Sequence, residues 1–195
     1  MSLPDSLRVL HEVREDAIVV TTMGTAREWM RFEQHPLDFV FVPSSMGQAT
    51  SLGLGLALAQ PSRNVVVCNG DGSMLMNLGS LMTIASQHPA NLTVLVFDNG
   101  VYEVTGGQPT TANAAIRAAN LDADLAKIAH ACGFSRVHEF DDLDDWRAAV
   151  RDVIGTPGLT FARLATAPIP GAVGPRSPGP APDRARRFAE ALRAT

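Results

Sequence analysis

Lysine is almost missing from this chain. Lys127 is the only one, so nearly all of the sixteen basic residues are arginines. Schiff-base chemistry therefore has almost no candidate. The G-x-x-x-x-G-K-[ST] phosphate loop is absent as well, and no G-x-G-x-x-G follows the first predicted strand, which weakens a dinucleotide reading. Cysteine is nearly as scarce. Cys68 and Cys132 sit in apolar company, which suits neither a disulfide framework nor a zinc site. The five histidines, His11, His35, His88, His130 and His138, show no metal spacing. A net charge of −4 argues against a general nucleic-acid binder. The cluster Arg184, Arg186 and Arg187 reads as a solvated helix face. No apolar run is long enough to span a bilayer, and "MSLPDSLRVLHEV" lacks the apolar segment of a signal peptide. A cytoplasmic chain with no membrane or nucleic-acid partner is expected.

What is present is a core. The chain has 195 residues, 46% of them hydrophobic, enough for one well-packed domain. Apolar runs of strand length fall at 17–22, 38–42, 64–69 and 92–99, with shorter ones at 134–140 and 158–165. Between them lie helical patterns at 5–14, 47–60, 78–88, 121–133 and 142–154. In 121–133, Leu121, Leu125, Ile128, Ala129 and Cys132 form one stripe, closed by Gly133. Strands without polar alternation, interleaved with helices, predict a parallel sheet covered on both faces. The expected fold is therefore α/β, doubly wound, with a mostly parallel six-stranded sheet over residues 1–165. The stretch 166–182, "TAPIPGAVGPRSPGPAP", is too rich in Pro and Gly for a regular element. It predicts an extended arm, followed by a short terminal helix over 183–193.

In such sheets ligands gather at the carboxyl ends of the strands. Asp71 follows the third strand, Asn99 the fourth, and "SSMG" (44–47) the second. A carboxylate and an amide oxygen from adjacent strand ends suit Mg²⁺, with room left for water and phosphate. Gly70 and Gly72 allow a tight turn and close approach of a ligand to the backbone. The N–H groups of Gly72 and Ser73 then open a helical turn toward an anion. A metal plus oriented N–H groups makes a diphosphate site that needs no lysine.

These residues carry a family resemblance. "GDGS" (70–73), with Asn99 placed 28 positions after Asp71 in "DNGVYEVTGGQPT" (98–110), resembles the signature of thiamine diphosphate enzymes, in which GDG is followed by an Asn-Asn pair. Here the pair reads Asp98-Asn99. The resemblance implies the pyrophosphate-binding (PP) domain of that family, with thiamine diphosphate and Mg²⁺ as cofactors. It implies Asp71, Asn99 and the carbonyl of Val101 as metal ligands, and Gly70, Gly72 and Ser73 as diphosphate contacts. Tyr102 joins the cofactor-binding set. Gly24 and Thr25, in "TMGT" (22–25), resemble the second diphosphate-side loop. Ser44 and Met46 would offer a backbone carbonyl and N–H to the aminopyrimidine edge. Met46 also takes the catalytic role of an apolar wedge that bends the cofactor, for which a long, adaptable side chain is suited; by residue type alone it is a core methionine.

Among thiamine enzymes, chains of this length resemble the β subunit of sulfopyruvate decarboxylase, with phosphonopyruvate decarboxylase as a fused relative. That implies a 2-oxo acid decarboxylase subunit inactive alone. Its glutamate donor would sit in a pyrimidine-binding (PYR) domain of a separate α subunit, in a heteromer that also carries a homodimer or larger assembly. The other readings are an acetolactate-synthase-like carboligase, a 2-oxo acid oxidoreductase subunit and a non-catalytic cofactor-binding module. One departure bears on the substrate: the family's Tyr-Gly is Tyr102-Glu103 here. Glu103 either faces the pocket, where it opposes a doubly anionic acid, or points to solvent. Thr105 and Gln108 either meet the substrate's acid group or belong to an ordinary loop. Arg27 either pairs in the neighbourhood of Glu28 or reaches a partner chain, and the sequence leaves both open.

Overall fold

A computed structural model describes residues 1–112 and 124–194. In chain order the strands are β1 (Ile18–Thr21), β2 (Asp38–Val40), β3 (Val65–Gly70) and β4 (Leu92–Asp98), then the short β5 (Val101–Tyr102) and β6 (Gln108–Pro109), then β7 (Arg136–Phe140) and β8 (Thr160–Ala165). Six of them form one sheet in the order β2-β1-β3-β4-β8-β7, with every neighbouring pair parallel. These are the six strands expected from the apolar runs. β5 and β6 form a separate antiparallel hairpin that the sequence pattern does not reveal.

Two apolar layers cover the sheet because successive strand residues face opposite sides. Val65 and Val67 of β3 point into one layer, with Leu54, Ala57, Leu81 and Ile84. These come from α3 (Ala49–Ala59) and α5 (Gly79–Gln87). Val66 and Cys68 point into the other, with Leu7, Leu10, Trp29 and Trp146. That layer is built by α1 (Leu3–Val13), α2 (Met23–Trp29) and α7 (Leu143–Gly155). Both indoles are fully buried; Trp146 Nε1 donates to the Ser6 carbonyl at 3.0 Å, whereas Trp29 Nε1 has no hydrogen-bond partner among the described residues. The other helices are α4 (Asp71–Leu75), α6 (Leu125–Cys132) and α8 (Ala181–Ala194). Residues 121–123 of the expected helix over 121–133, Leu121 included, lie outside the described residues. α6 starts at Leu125, where Asp124 caps it by accepting from the Ala126 and Lys127 N–H groups.

α3 lies so close to β3 that a Cβ on Gly53 would stand 2.2 Å from Val67 Cγ2. Valine is stiff at χ1 and cannot swing aside. Gly53→Ala gains up to about 1 kcal/mol of helix propensity but forces an overlap that costs about 1–3 kcal/mol. The expected net result is a lower denaturant midpoint, and a rise would show that α3 can move off the sheet.

The arm after β8 crosses the carboxyl ends of the strands. Thr166 N–H donates to the Asp98 carbonyl at 2.8 Å, and Ala167 N–H to the Met1 carbonyl at 2.9 Å. Ser177 Oγ reaches the Val42 carbonyl at 3.2 Å. α8 then returns to the β2 edge, where Phe188 packs against Phe39 with centroids 4.9 Å apart and Arg184 donates to the Val40 and Val42 carbonyls.

Candidate functional site

β1 leads to β2 on one side and β3 leads to β4 on the other, so the chain reverses direction between β1 and β3. A crevice opens at such a point, at the carboxyl ends of the strands. The cavity there is lined by Gly24 and Thr25 after β1, Met46 after β2, Gly70 to Ser73 after β3, and Asn99, Val101, Tyr102 and Glu103 after β4. Ser44 is not part of that lining; its hydroxyl lies 3.1 Å from that of Thr22.

Asp71 opens α4 with only 2% of its surface exposed. Its carboxylate accepts from Thr110 Oγ1 at 2.8 Å and from the N–H groups of Gly72 and Asn99. Burial, followed by the negative charge of Asp98, nevertheless pushes its carboxyl up to about 7. Asp98 itself is neutralised from behind by Arg163, whose Nε stands 2.7 Å from Oδ2. The uncompensated charge at Asp71 is what an arriving cation would relieve. Asn99 lies beside it. Its Oδ1 accepts from the Val101 N–H at 3.0 Å and keeps a second lone pair. Among the described residues there is no group of three His, Cys, Asp or Glu that could hold a metal. Asp71 and Asn99 instead bring a carboxylate and an amide oxygen to one cavity, the kind of donor a hard cation takes.

The loop carrying Met46 is held rigidly. Gly47 adopts φ +87°, where a side chain is strained. Its N–H donates to Ser73 Oγ at 2.9 Å, and its carbonyl accepts from Asn77 Nδ2 at 3.0 Å. Met46, 38% exposed, is among the few large apolar side chains left open to solvent. The ring of Tyr102 lies over Gly72, where a Cβ would come within 2.6 Å of it. Gly70 has free space on its Cβ side. Thr25 is already in use by the fold: its hydroxyl lies 2.7 Å from the Thr22 carbonyl and 2.8 Å from that of Cys68. This pins α2 to β3, so any ligand contact at Thr25 falls to its backbone.

Two residues are more engaged than their sequence suggests. Thr110 is fully buried behind Asp71, delivered there by the β5–β6 hairpin; its only sequence signal is its place in the "GGQPT" stretch. The solvent-facing alternative for Glu103 is not what the structure holds. Its side chain is 10% exposed and pairs with Arg27 at 3.2 Å. Arg27 in turn binds Glu28 at 2.7 Å. Gln108 is exposed, while Thr105 sits at the cavity mouth. No helix among the described residues is long and apolar enough to cross a membrane.

Residues 20–163 match the family model described as "Thiamine pyrophosphate enzyme, C-terminal TPP binding domain". A phosphonopyruvate decarboxylase of Streptomyces viridochromogenes is 43% identical over 83% of this chain, which spans 38% of that protein's length. The sulfopyruvate decarboxylase subunit beta of Methanothermobacter thermautotrophicus is 40% identical over 80% of this chain and 77% of its own. A solved structure of a thiamin diphosphate-dependent enzyme isolated from Mycobacterium smegmatis shares the fold, with a TM-score of 0.70 at 23% identity, covering 87% of this chain and 32% of that one. Since the family model takes in most of the sequence, this chain belongs to the thiamine pyrophosphate enzymes, and residues 20–163 are its TPP-binding domain.

Proposed function

We propose that this chain is the thiamine diphosphate- and Mg²⁺-binding subunit of a decarboxylase for a small 2-oxo acid of the sulfopyruvate or phosphonopyruvate type. The observation that carries this reading is the buried, uncompensated carboxylate of Asp71 beside the Asn99 amide oxygen, both facing one cavity. Asp71, Asn99 and the Val101 carbonyl would hold the cation. The backbone at Gly24, Gly70, Gly72 and Ser73 would meet the diphosphate. When bound, the cofactor supplies the electron sink that decarboxylation of a 2-oxo acid requires.

The chain's own residues position and enclose. Thr110 and the N–H groups of Gly72 and Asn99 fix the Asp71 carboxylate. Met46 presents an apolar surface from a clamped loop, and Val101, Val104 and Met76 extend that surface along the wall, keeping water from the reacting end. The glutamate that moves the proton is assigned to a separate PYR-type α subunit. A relative that is itself a sulfopyruvate decarboxylase subunit beta, matched over 77% of its length, supports this.

The test is CO₂ release from sulfopyruvate and phosphonopyruvate by this chain mixed with a PYR-type subunit from the same genome. Turnover should need both chains, the cofactor and Mg²⁺. Acetolactate formation from pyruvate instead would move the assignment to the carboligases. Calorimetry showing no cofactor binding by the mixture would reject a functional site altogether.

A further inference from the structure

Glu103 stands where three parts of the molecule meet. Oε1 accepts from Asn99 Nδ2 at 3.3 Å and from the backbone N–H of Ile169, in the Pro/Gly-rich arm, at 2.8 Å. Oε2 faces Arg27 Nη2 at 3.2 Å. Arg27 Nη1 reaches further along the arm, to the Val173 carbonyl at 3.0 Å. One carboxylate and its cation therefore hold the arm at two points, 169 and 173, and the same carboxylate grips the amide of Asn99.

That grip has a chemical consequence. The two ends of a carboxamide differ in kind: Nδ2 only donates and Oδ1 only accepts, while an ionised carboxylate only accepts. A carboxylate against Nδ2 therefore forbids the flipped amide and keeps Oδ1 where it accepts from the Val101 N–H, at the cavity that Asp71 also lines. A flipped Asn99 would present N–H groups to a cation, which repel it. The contact with the arm is far from local in sequence, since Ile169 lies 66 positions after Glu103.

Resting on the cofactor reading above, we propose that Glu103 is a positioning residue that sets the orientation of Asn99 and couples it to docking of the 166–180 arm. Order in the arm and affinity for the cation then share one group. Linkage makes the effect reciprocal: whatever the arm contributes to cation binding, cation binding contributes to the arm.

The experiment uses the full chain, with two readouts. The first is Mg²⁺-dependent binding of thiamine diphosphate by calorimetry. The second is the rate of trypsin cleavage after Arg176, an exposed arm residue, followed by mass spectrometry with and without Mg²⁺ and cofactor. In the wild type, ligands should slow cleavage several-fold. Glu103→Ala should weaken Mg²⁺ binding about tenfold, the scale of one charge-assisted hydrogen bond, and should remove the ligand's protection of the arm. Glu103→Gln, whose amide oxygen can still accept from Asn99 and Ile169, should keep Mg²⁺ affinity within about threefold of wild type. Ile169→Pro deletes the arm's donor without touching the cavity, and should speed cleavage and weaken Mg²⁺ binding together. Equal losses in the Ala and Gln variants would reduce Glu103 to a packing residue and overturn the proposal. A wild type that binds cofactor but whose arm is cut at one rate in both conditions would overturn the coupling alone. A wild type that binds no cofactor, alone or mixed with the PYR-type subunit, would overturn the functional reading and this inference with it.

Discussion

Replacing Asp71 by asparagine is expected to abolish cofactor binding and yet to raise the melting temperature of the cofactor-free protein. Both effects come from one cause. The carboxylate is buried, Asp98 stands close, and Arg163 pairs with Asp98, Glu139 and Asp141 but not with Asp71. For binding, asparagine keeps the shape but removes the charge that a hard cation needs. Loss of an outer-shell partner already costs about 10–100-fold in metal affinity, so loss of this ligand should cost about a hundredfold or more. For stability the sign follows from the carboxyl's rise to about 7 from an ordinary 3.8. A group raised in the folded state binds its proton more tightly there. Its contribution is intact below about pH 4 and is lost as the pH climbs through 7. The amide that replaces it in the variant has no proton to lose. In chelator, the variant should therefore melt above wild type at pH 8, with a smaller gap at pH 5. Saturating Mg²⁺ and cofactor should then reverse the order. Equal melting temperatures at both pH values would mean that Asp71 is not a strained charge, and unchanged cofactor affinity would remove it from the metal set.

The second large effect is kinetic. Met46→Ala should lower kcat by about a hundredfold while leaving cofactor affinity within a few-fold. The loop around Met46 is anchored by Ser73 and Asn77 on either side of Gly47, so truncating the side chain leaves the backbone in place. What disappears is the part of the cavity's apolar wall that Met46 supplies. Misplacement of a reactive group by about 1 Å is enough for a hundredfold loss. Leucine at this position should recover much of the rate, because it restores bulk without flexibility. If Met46→Ala weakens cofactor binding and leaves kcat intact, Met46 contributes only contact area.

The apolar strand runs and the turn after β3 are readable because each is written locally, in consecutive valines or in a carboxylate between glycines. α2 is not. Met23 sits at φ +51° and Gly24 follows it, so the stretch reads as loop. The signal is the Thr22–Thr25 pair, which closes a reciprocal capping box. Thr110 and Glu103 escape for a different reason. Thr110 reaches Asp71 only because a hairpin folds back, and Glu103 is buried only because an arm arrives from residue 166 onward. The arm holds no regular element over 166–180, although α8 starts at Ala181, two residues before the helix expected over 183–193; composition carries no record of where the arm lies. For Arg27 the adjacent Glu28 is a partner that the sequence offers, while Glu103 and the Val173 carbonyl reach it only through the fold.

The β5–β6 hairpin divides into two parts that can change independently. Its base is fixed at both ends, by Val101 N–H on Asn99 and by Thr110 on Asp71. Its tip, with Thr105, Gly106, Gly107 and Gln108, is exposed, and the two glycines hold φ of +121° and +75°. Substitutions at 105 and 108 vary this tip while Asp71 and Asn99 keep their partners at the base. On the function proposed above, a library confined to those two positions is thus a route to new 2-oxo acid substrates that leaves Asp71 and Asn99 unaltered.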